Sequence, residues 1–447
     1  MNCIPQHFRD RTICIVGLGY VGLTLAVAMA NKGFNIIGVE ISSIIRDRLL
    51  QKKTIMFEKD LDDHLKRHLC SGRIRVYEKI PKIPEISVYI ISVGTPLGIN
   101  KQIELSALGK VCEQIRDVIK NGDLVILRST VKVGTTRKFV KPIFEGTGVS
   151  FELAFCPERT VEGKALIELN SLPQVVSGLT DSACLRVAEL FGFLTPTVVK
   201  VANVETAELV KLVNNTQRDV LFAFANEVAM MCEVLGVNVT EVVHAAVTHY
   251  PRGILPLPGL VGGPCLEKDP YILAESLKQY GYQPQLTLTA RKWNEDLPMQ
   301  TVKKIKTEFD MIIEQDLLAA PVISILGLAF KGNPETDDLR GTMAIPLIAA
   351  LKESFPGSYI QGYDPIVDGK KISALGIKPI QTLEEAFSGS NIVIIQNNNP
   401  LFQKMPIHLL AKSMSKPSLI YDYWNLFSSS NELLQGIKYI ALGNHQN

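Results

Sequence analysis

Short apolar runs alternate with segments of helical periodicity from Thr12 to about Val199. Strands that alternate with helices in this way pair in parallel, so the pattern predicts a doubly wound parallel sheet. The strand candidates are Thr12–Val16, Ile36–Val39, Val88–Ser92, Leu124–Leu127, Phe151–Phe155 and Val175–Ser177. Ligands bind beyond the carboxyl ends of such strands, and chemically useful segments follow the candidates at 94–96, 129–130 and 156–158.

The pattern changes at Asn203, after which no proline interrupts the chain until Pro251. Asn203 can cap a helix, Glu205 suits its first turn, and Gly236 is a natural C-terminal stop. These signals predict a helix of about thirty residues. Its apolar side chains lie on several faces, so we expect burial on more than one side and a role as a domain hinge or a dimer seam. They are Leu209, Leu212, Val213, Val220, Phe224 and Val228.

A second α/β block begins near Pro321. Val322–Leu326 is a strand candidate, 327–332 is a turn punctuated by glycine, and 360–364 and 392–396 are later strands. This block resembles another nucleotide-binding sheet, but it lacks the full glycine fingerprint.

A glycine turn follows the first strand, with the sequence Gly17-Leu18-Gly19-Tyr20-Val21-Gly22. Here the first glycine permits the tight bend, the second lets backbone approach a pyrophosphate, and the third lets helix pack on strand. The next helix presents free N–H groups and a positive dipole end to phosphates. Glu40 ends the second strand, where an acid can bind ribose hydroxyls and repel a 2′-phosphate. The turn therefore predicts NAD binding, with an ordinary βα turn as the alternative.

The predicted fold is α/β, with two Rossmann-like doubly wound parallel-sheet domains joined by a long central helix and a small helical middle domain. A chain of 447 residues is too long for one core, which agrees with this division. The predicted domains are an NAD-binding domain at 1–200, a central helical and dimerisation domain at 201–300, and a C-terminal α/β domain at 315–447.

Composition excludes several classes of protein. A net charge of +2 argues against a nucleic-acid surface. Eight cysteines without a CxxC pair suggest neither a zinc ribbon nor a disulfide framework, and reduced thiols fit a cytoplasmic enzyme. No stretch approaches the length of a membrane span. His64 and His68 have the spacing of a helical metal pair, but no third ligand is evident, so a solvated helix face is the favoured interpretation and no metal is expected.

The segment from Leu260 to Pro270 carries the most reactive chemistry. It holds a thiol, an ammonium and a carboxylate at Cys265, Lys268 and Asp269, next to glycines that let backbone approach a ligand. Such a cysteine is nucleophilic when a nearby cation lowers its pKa. A loop with a buried, inert cysteine and a surface Lys–Asp pair is the alternative.

Lys211 and Asn215 lie four residues apart on the long helix and so share one face. Burial of an ammonium and an amide is costly unless each has a partner. The two side chains could hydrogen-bond a substrate oxygen that gains negative charge. A helix-end salt bridge between Lys211 and Glu208 is the alternative.

Together these blocks make the chain resemble the UDP-glucose/GDP-mannose dehydrogenase family, the nucleotide-sugar 6-dehydrogenases. The resemblance extends from Ile13 to at least Arg340, and so many ordered blocks make chance similarity implausible. The matching stretches are Gly17–Gly22, Gly94-Thr95-Pro96, Ser129-Thr130-Val131, Gly134-Thr135-Thr136, Cys156-Pro157-Glu158-Arg159, 207–211 with Asn215, Gly262–Asp269, Phe330-Lys331 and 336–340.

The resemblance implies a four-electron oxidation of the C6 alcohol of a nucleotide sugar to a carboxylate, with two NAD consumed. Lys211 and Asn215 would hold the C6 oxygen, and Cys265 would carry a thiohemiacetal and then a thioester. Asp269, Thr130 and an acid of the segment 158–162 would position the hydrolytic water. The implied catalytic residues are Cys265, Lys211, Asn215, Asp269, Thr130, Glu158 and Glu162.

The resemblance also implies binding residues, with the C-terminal block as the UDP-sugar domain. Those for the cofactor are Gly17, Gly19, Tyr20, Val21, Gly22, Glu40, Thr95, Thr130 and Arg340. Those for the substrate are Arg159, Lys211, Asn215, Arg252, Gly262, Lys268 and Lys331. Arg252 is often supplied by a partner subunit in this family, which favours a homodimer, although a simple loop cation is the alternative here.

The substrate signals are mixed. The segments 156–163 and 331–341 look like members that oxidise UDP-N-acetylhexosamines for surface polysaccharides, whereas Pro264 and Lys268 look more like UDP-glucose members. We favour UDP-N-acetyl-D-mannosamine or UDP-N-acetyl-D-glucosamine, with UDP-glucose as the alternative. Two remoter alternatives are a two-electron hydroxyacid dehydrogenase, which has no use for Cys265, and a non-catalytic NAD-binding protein.

Overall fold

A computed structural model describes residues 4–54, 56–313, 320–427 and 436–444 of the protein. The chain divides into two compact units. The first comprises Met1–Asn215 with Tyr271–Gln283, and the second comprises Thr216–Pro270 with Pro284–Asn447. The boundaries 1–200, 201–300 and 315–447 stay a prediction, because this division does not test a separate middle domain.

The first unit is built on one sheet, whose strands are β1 (Thr12–Val16), β2 (Asn35–Val39), β3 (Ile74–Tyr77), β4 (Ile86–Ile91), β5 (Asp123–Leu127), β6 (Phe151–Phe155), β7 (Gln174–Gly178) and β8 (Val198–Lys200). Their order is β3-β2-β1-β4-β5-β6-β7-β8. Neighbours pair in parallel, apart from β6 and β7, which are antiparallel. The switch point between β1 and β4 is where a doubly wound sheet binds ligands.

Helices cover both faces of this sheet or connect its strands. They are α1 (Tyr20–Asn31), α2 (Ser43–Leu50), α3 (Leu61–Cys70), α4 (Ser106–Arg116), α5 (Lys141–Glu145), α6 (Ala165–Glu168) and α7 (Asp181–Gly192), with a π-helix at Thr136–Val140. Helix α1 has its residues Gly22 to Ala30 buried, because small and apolar side chains let it pack closely on the sheet.

A helical region follows, as the sequence predicted. It consists of α8 (Val204–Leu235), α9 (Val239–Val247), α10 (Asp269–Lys278) and α11 (Gln285–Ile312). Helix α8 has the predicted start and stop, but the expected burial on more than one side is wrong within this chain. Leu209, Val213 and Phe224 are 39%, 45% and 51% exposed, because none of the residues that the structure describes covers that side of the helix.

The second unit contains a parallel sheet of β9 (Val322–Leu326), β10 (Tyr359–Tyr363), β11 (Lys378–Pro379), β12 (Ile392–Ile395), β13 (Leu419–Asp422) and β14 (Lys438–Ala441). The order β11-β10-β9-β12-β13-β14 repeats that of the first six strands of the other sheet. The helices of this part are α12 (Ala344–Ser354), α13 (Gly369–Ser373), α14 (Leu383–Phe387), α15 (Pro400–Gln403), α16 (Ile407–Leu410) and a 3₁₀ helix at Ala411–Ser413. Both predicted Rossmann-like sheets are therefore confirmed.

Helix α3 corrects one sequence interpretation. His64 and His68 were expected on a solvated face, but His68 is only 6% exposed and His64 is half-buried. Both imidazoles contact Asn31 Oδ1 at the end of α1. The reason is tertiary, because α3 packs that face against α1. Among the described residues, no group of three or more His, Cys, Asp or Glu side chains could hold a metal ion.

None of the helices in the described part of the chain is long and apolar enough to cross a membrane. The cytoplasmic location stays a prediction.

Candidate functional site

The glycine turn after β1 is bent and closely packed. Gly17 has φ of 91°, a conformation that L side chains rarely adopt, and its N–H donates to Val39 O at 2.8 Å. A Cβ on Gly22 would lie 1.8 Å from Gly17 O, so only glycine lets α1 start so near the strand. A Cβ on Gly19 would meet nothing within 4 Å, which leaves open space at this point of the turn.

Glu40 lies directly after β2 and is buried. Its two carboxylate oxygens accept hydrogen bonds from Leu18 N at 2.8 Å and from Ser42 N at 2.9 Å. A carboxylate has about four acceptor sites, so Glu40 keeps the capacity to accept bonds from two further donors. A cavity of about 530 Å³ is lined by Gly17, Gly19 and Glu40, among others. The open glycine, the cavity and the oriented carboxylate fit a dinucleotide.

Tyr20 and Val21 form the first turn of α1. The Tyr20 hydroxyl donates to Glu58, and both Tyr20 Oη and Glu58 Oε2 accept from Gly163 N, at 3.0 and 2.8 Å. Burial, and then the neighbouring Glu58 carboxylate, raise the pKa of Tyr20 well above its ordinary value. The Tyr20 side chain therefore ties the start of α1 to the loop that ends at Gly163.

Thr95 and Thr130 meet at the carboxyl ends of β4 and β5. The buried Thr95 hydroxyl donates to Thr130 O at 2.5 Å. These ends are neighbours because β4 and β5 pair in parallel. The structure thus places both residues on the sheet edge that holds the glycine turn.

Glu158 is bound to a buried arginine that the sequence analysis missed. Arg128 Nη2 donates to Glu158 Oε2 at 2.6 Å, while Oε1 accepts from Arg159 N and Thr160 N, both at 2.7 Å. Burial raises the pKa of Glu158, but the charge of Arg128, the hydrogen bonds and the charge of Lys211 more than offset it, so the pKa is lowered. Glu158 is therefore an ionised, tightly held carboxylate. A lone arginine after an apolar strand gave no signal of this pair.

The rest of that loop is less enclosed. Glu162 is half-buried, as is Arg159. The Arg159 guanidinium donates to Pro173 O and to Asn214 Oδ1. Arg159 thus connects this loop to α8 next to Asn215.

Lys211 and Asn215 are both buried on α8. Glu208, the alternative partner of Lys211, is engaged elsewhere, since it accepts from Gly134 N, Thr136 N and Thr136 Oγ1 at 2.5 to 2.8 Å. No ion pair between Lys211 and Glu208 is present in the described parts of the chain. The alternative of a helix-end salt bridge between Lys211 and Glu208 is therefore wrong.

Cys265 lies in the second unit, on a turn that leads into α10. Cys265 is exposed, so the alternative of a buried, inert cysteine is wrong. Its carbonyl oxygen accepts from Lys268 N and Asp269 N at 3.2 and 2.9 Å, which closes the turn. Asp269 is fully buried at the start of α10, and Lys268 is half-buried.

The glycines before Cys265 fit closely against the turn region after β9. Gly263 has φ of 98°, donates to Gly341 O at 2.7 Å, and would place a Cβ 2.4 Å from the Phe330 ring. A Cβ on Gly262 would lie 2.2 Å from Gly341 O. The cysteine turn is thus docked on the second sheet through positions that only glycine can occupy.

Arg291 on α11 also holds the loop that carries Cys265, and this role was not predicted from the sequence. This buried guanidinium donates to Val261 O and Leu266 O, at 3.2 and 2.9 Å, and to Asp219 Oδ1 at 2.8 Å. Burial raises the pKa of Asp219 to about 6, against the opposing charge of Arg291. The backbone on both sides of Cys265 is therefore fixed to one side chain.

A second cavity of about 340 Å³ lies beside this loop, and the sequence analysis missed most of its chemistry. Its lining includes Trp424, Lys331, Arg218 and Asn398. The Trp424 indole is fixed by a 3.0 Å bond from Nε1 to Gln396 O. A flat ring, two cations and an amide provide the groups that bind a base and its phosphates.

Two predicted binding residues lie at the surface of the second unit. The exposed Arg252 stacks on the Tyr250 ring, with 4.8 Å from Cζ to the ring centroid. The exposed Arg340 pairs with Asp338. Their predicted contacts with substrate and cofactor stay predictions, as do the roles of the other site residues.

Comparison with known proteins gives a consistent result. Three stretches match the UDP-glucose/GDP-mannose dehydrogenase family: its NAD binding domain at 11–192, its central domain at 205–296 and its UDP binding domain at 324–429. A UDP-N-acetyl-D-mannosamine dehydrogenase from Methanocaldococcus jannaschii is 33% identical, covering 100% of both chains. One from Pyrococcus horikoshii is 32% identical, over 93% of this chain and 95% of that protein. The solved structure of the UDP-D-ManNAc dehydrogenase from Pyrococcus horikoshii, 31% identical, superposes with a TM-score of 0.86 over 97% of this chain and 99% of that one.

Proposed function

This chain belongs to the UDP-glucose/GDP-mannose dehydrogenase family of nucleotide-sugar dehydrogenases, and we propose that it oxidises the C6 hydroxyl of UDP-N-acetyl-D-mannosamine to a carboxylate. The observation that carries the proposal is Cys265, exposed on a turn whose flanks Arg291 holds on both sides. An exposed thiol on a rigid turn is suited to form a covalent bond with a substrate carbonyl.

The first unit supplies the cofactor site. NAD⁺, when bound, is the oxidant that accepts a hydride in each of the two oxidations. The residues that would hold it are Gly17, Gly19 and Gly22 at the phosphates and Glu40 at the ribose, with Tyr20, Val21, Thr95, Thr130 and Arg340 as further contacts. The remaining acceptor capacity of Glu40 suits ribose hydroxyls, and its charge disfavours a 2′-phosphate.

Lys211 and Asn215 would act in the first oxidation. Their N–H groups hydrogen-bond the C6 oxygen, and the Lys211 amine takes the hydroxyl proton as the aldehyde forms. Burial supports this role, because a shielded amine and amide act strongly on a single substrate oxygen.

Cys265 would act in the second oxidation. Its sulfur bonds to the aldehyde carbon and the carbonyl oxygen takes up a proton, which gives a thiohemiacetal. Loss of a hydride and that proton gives a thioester. Water then adds to the thioester carbon, the C–S bond breaks, and the thiol is restored. Asp269, Thr130 and Glu158 or Glu162 would position this water. Of the two glutamates, we favour Glu162, because the acceptor sites of Glu158 are largely taken by Arg128, Arg159 and Thr160.

The second unit would bind the nucleotide. Trp424 suits a flat base, while Lys331 and Arg218 suit phosphates, with Gly262, Lys268, Arg159 and Arg252 as further substrate contacts. The named relatives act on UDP-N-acetyl-D-mannosamine, which is why we prefer that sugar to UDP-N-acetyl-D-glucosamine. Pro264 and Lys268 keep UDP-glucose as the second candidate. A surface-polysaccharide pathway in the cytoplasm would use this product.

Helix α8 supports a homodimer. Exposed apolar side chains at Leu209, Val213, Phe224 and Met231 recur at intervals that keep them on one helical stripe. An unburied stripe of this kind is typical of a subunit interface.

The test is a panel of UDP-sugars with NAD⁺, in which NADH and carboxylate are counted per sugar consumed. We expect two NADH per UDP-N-acetyl-D-mannosamine and slower turnover of UDP-N-acetyl-D-glucosamine and UDP-glucose. One NADH per sugar would contradict the four-electron reaction.

A pair of variants tests the role of the thiol. Cys265→Ser should abolish carboxylate formation, because an alkoxide leaving group makes the ester analogue slow to hydrolyse. Cys70→Ser removes another exposed thiol and should leave the rate unchanged. An unaffected Cys265→Ser enzyme would favour a two-electron dehydrogenase instead.

A further inference from the structure

A third cavity, of about 870 Å³, lies in the first unit, where the end of α1 meets α3 and α6. It is separate from the cavity beside Glu40, since the two share no lining residue. Its lining is rich in nitrogen bases and cations: Lys32, Lys59, His64, Arg67, His68 and Arg73. Nothing in the proposed reaction uses these side chains.

Hydrogen-bond donors in this cavity outnumber the acceptors that they meet. Asn31 Oδ1 lies 2.7 Å from His68 Nε2, 2.8 Å from Arg67 Nη2 and 3.0 Å from His64 Nδ1. An amide oxygen offers two lone pairs, which His68 Nε2 and Arg67 Nη2 can fill, while His64 Nδ1 also lies 2.8 Å from Arg67 Nη2 and can accept a bond from it. Arg73 Nη1 donates to Gly33 O at 2.6 Å, and the other N–H groups of Arg67 and Arg73 extend this surplus, because each guanidinium carries five.

The positive charge of the cavity is poorly compensated. Among the residues that the structure describes, Lys32, Lys59, Arg67 and Arg73 form no ion pair with a carboxylate. Two carboxylates also line the cavity, those of Glu58 and Asp60, against the four cations. That of Glu58 is bound to Tyr20 and Gly163 N, and Asp60 is exposed.

These neighbouring cations affect the pKa of His68. Burial, followed by the charges of Arg67 and Arg73 and by His64, lowers the pKa of His68 to about 4. His68 is thus a neutral imidazole beside cations. Because its Nε2 faces the Asn31 oxygen, this neutral ring donates there and remains a donor to any oxyanion that replaces the contact.

We propose that this cavity binds the phosphoryl group of a small phosphorylated molecule, seated between Asn31 and the side chains of His64, Arg67, His68 and Arg73. A phosphate dianion accepts several hydrogen bonds at once, which matches the N–H groups that the two guanidiniums and His68 present around Asn31. It also offsets the like-charge repulsion between the two guanidiniums. The ligand is either free phosphate or a phosphomonoester, because both present the same group.

The test measures binding of inorganic phosphate to the full chain by calorimetry in phosphate-free buffer. NAD⁺ and UDP are present at saturation, so that other phosphate-binding surfaces are filled. We expect one phosphate per chain, and about tenfold weaker binding to Arg67→Gln, since one charge-assisted contact is lost. Ribose 5-phosphate in a parallel titration separates the two sources, because tighter binding than phosphate identifies a phosphomonoester.

The matched control is Arg75→Gln. Arg75 is an exposed cation on β3 that does not line the cavity, so this variant removes the same charge and should bind phosphate like the unchanged protein. No phosphate binding, or equal weakening in both variants, would overturn the proposal.

A second measurement locates the anion without a buried substitution. The chain has seven histidines, which selective isotope labelling makes visible by NMR. Without phosphate, the His68 resonance should not titrate between about pH 5 and 7; with phosphate, its pKa should rise into that range, because the anion offsets Arg67, Arg73 and His64. The resonance is recognised by its shift in both Arg67→Gln and His64→Gln. A His68 resonance that ignores phosphate would reject this cavity as the site.

Discussion

The turns after β1 and β9 have almost the same construction and different uses. Gly17 and Gly327 both have positive φ, of 91° and 81°, and each donates its N–H at 2.8 Å to the last residue of the neighbouring strand. Each is followed by a leucine whose N–H binds an acid at the end of that strand, Glu40 or Asp364. Two similar sequences thus produce the same strand–turn geometry twice.

The two acids differ in their remaining capacity to accept hydrogen bonds. Glu40 accepts two hydrogen bonds, whereas Asp364 accepts four, from the N–H groups of Leu328, Ala329, Ile366 and Val367. Because a carboxylate has about four acceptor sites, Asp364 is saturated by its own chain. Glu40 can still bind a ligand.

The space beside each turn differs in the same sense. The second glycine of the first turn, Gly19, faces open space, whereas the second turn continues with Ala329 and Phe330, and Phe330 packs on Gly263. A Cβ on Gly327 would also lie 2.2 Å from Asn397 Oδ1. The first turn thus leaves open space at Gly19, whereas the second is filled by protein that packs on the cysteine loop.

The largest expected loss of stability comes from adding a side chain at Gly263, where the cysteine loop packs on the second turn. Gly263→Ala adds both backbone strain at φ of 98° and a clash with Phe330, so we expect a loss of about 4 kcal/mol in the free energy of unfolding. Gly19→Ala, where a Cβ meets nothing, should keep its stability and weaken NAD⁺ binding. Urea unfolding and NAD⁺ titration of both variants decide the point, and equal stability losses would contradict the difference.

Asp364→Asn tests the saturated acid. An amide group would face two backbone N–H donors, so two hydrogen bonds are lost and about 3 kcal/mol of stability with them. NAD⁺ affinity should stay unchanged. If urea unfolding shows no loss, Asp364 does not hold its turn.

Asp219 gives a pH test of the support for the cysteine loop. Its folded pKa of about 6 exceeds the ordinary value of 3.8, so the folded state binds this proton more tightly than the unfolded chain does. Its stabilising contribution is complete below about pH 4 and is lost as the pH rises through about 6. The stability of the unchanged protein relative to Asp219→Asn should fall by about 2 kcal/mol across that window. Urea unfolding at several pH values would show a constant difference if the idea is wrong.

Glu40→Gln should give the smallest effect. Without the negative charge proposed to bind the ribose hydroxyls, NAD⁺ should bind about tenfold more weakly, and discrimination against NADP⁺ should relax. We expect the free energy of unfolding to fall by about 1 kcal/mol. Fluorescence titration with both cofactors measures this. Unchanged preference for NAD⁺ would assign the selectivity to other residues.

Much of this protein was accessible from sequence because its signals are local. Strand bounds at Thr12–Val16, Phe151–Phe155 and Val322–Leu326 and the length of α8 follow from apolar runs, caps and glycine stops. Short or polar strands such as β3 and β8 were missed, since their pairing comes from neighbours far along the chain. The thiol and amine candidates were found because glycine spacing and helical spacing are properties of short segments.

Only the tertiary structure decided what surrounds those candidates. Arg128 and Arg291 belong to no motif in the sequence. In the folded chain both are buried, where they donate hydrogen bonds to Glu158 and Asp219. His64 and His68 were predicted on a solvated face, whereas the packing of α3 against α1 makes them line a cavity. Local pattern fixes which atoms a segment carries, but burial, charge compensation and remaining hydrogen-bond capacity depend on distant segments, because desolvation arises only when those segments meet.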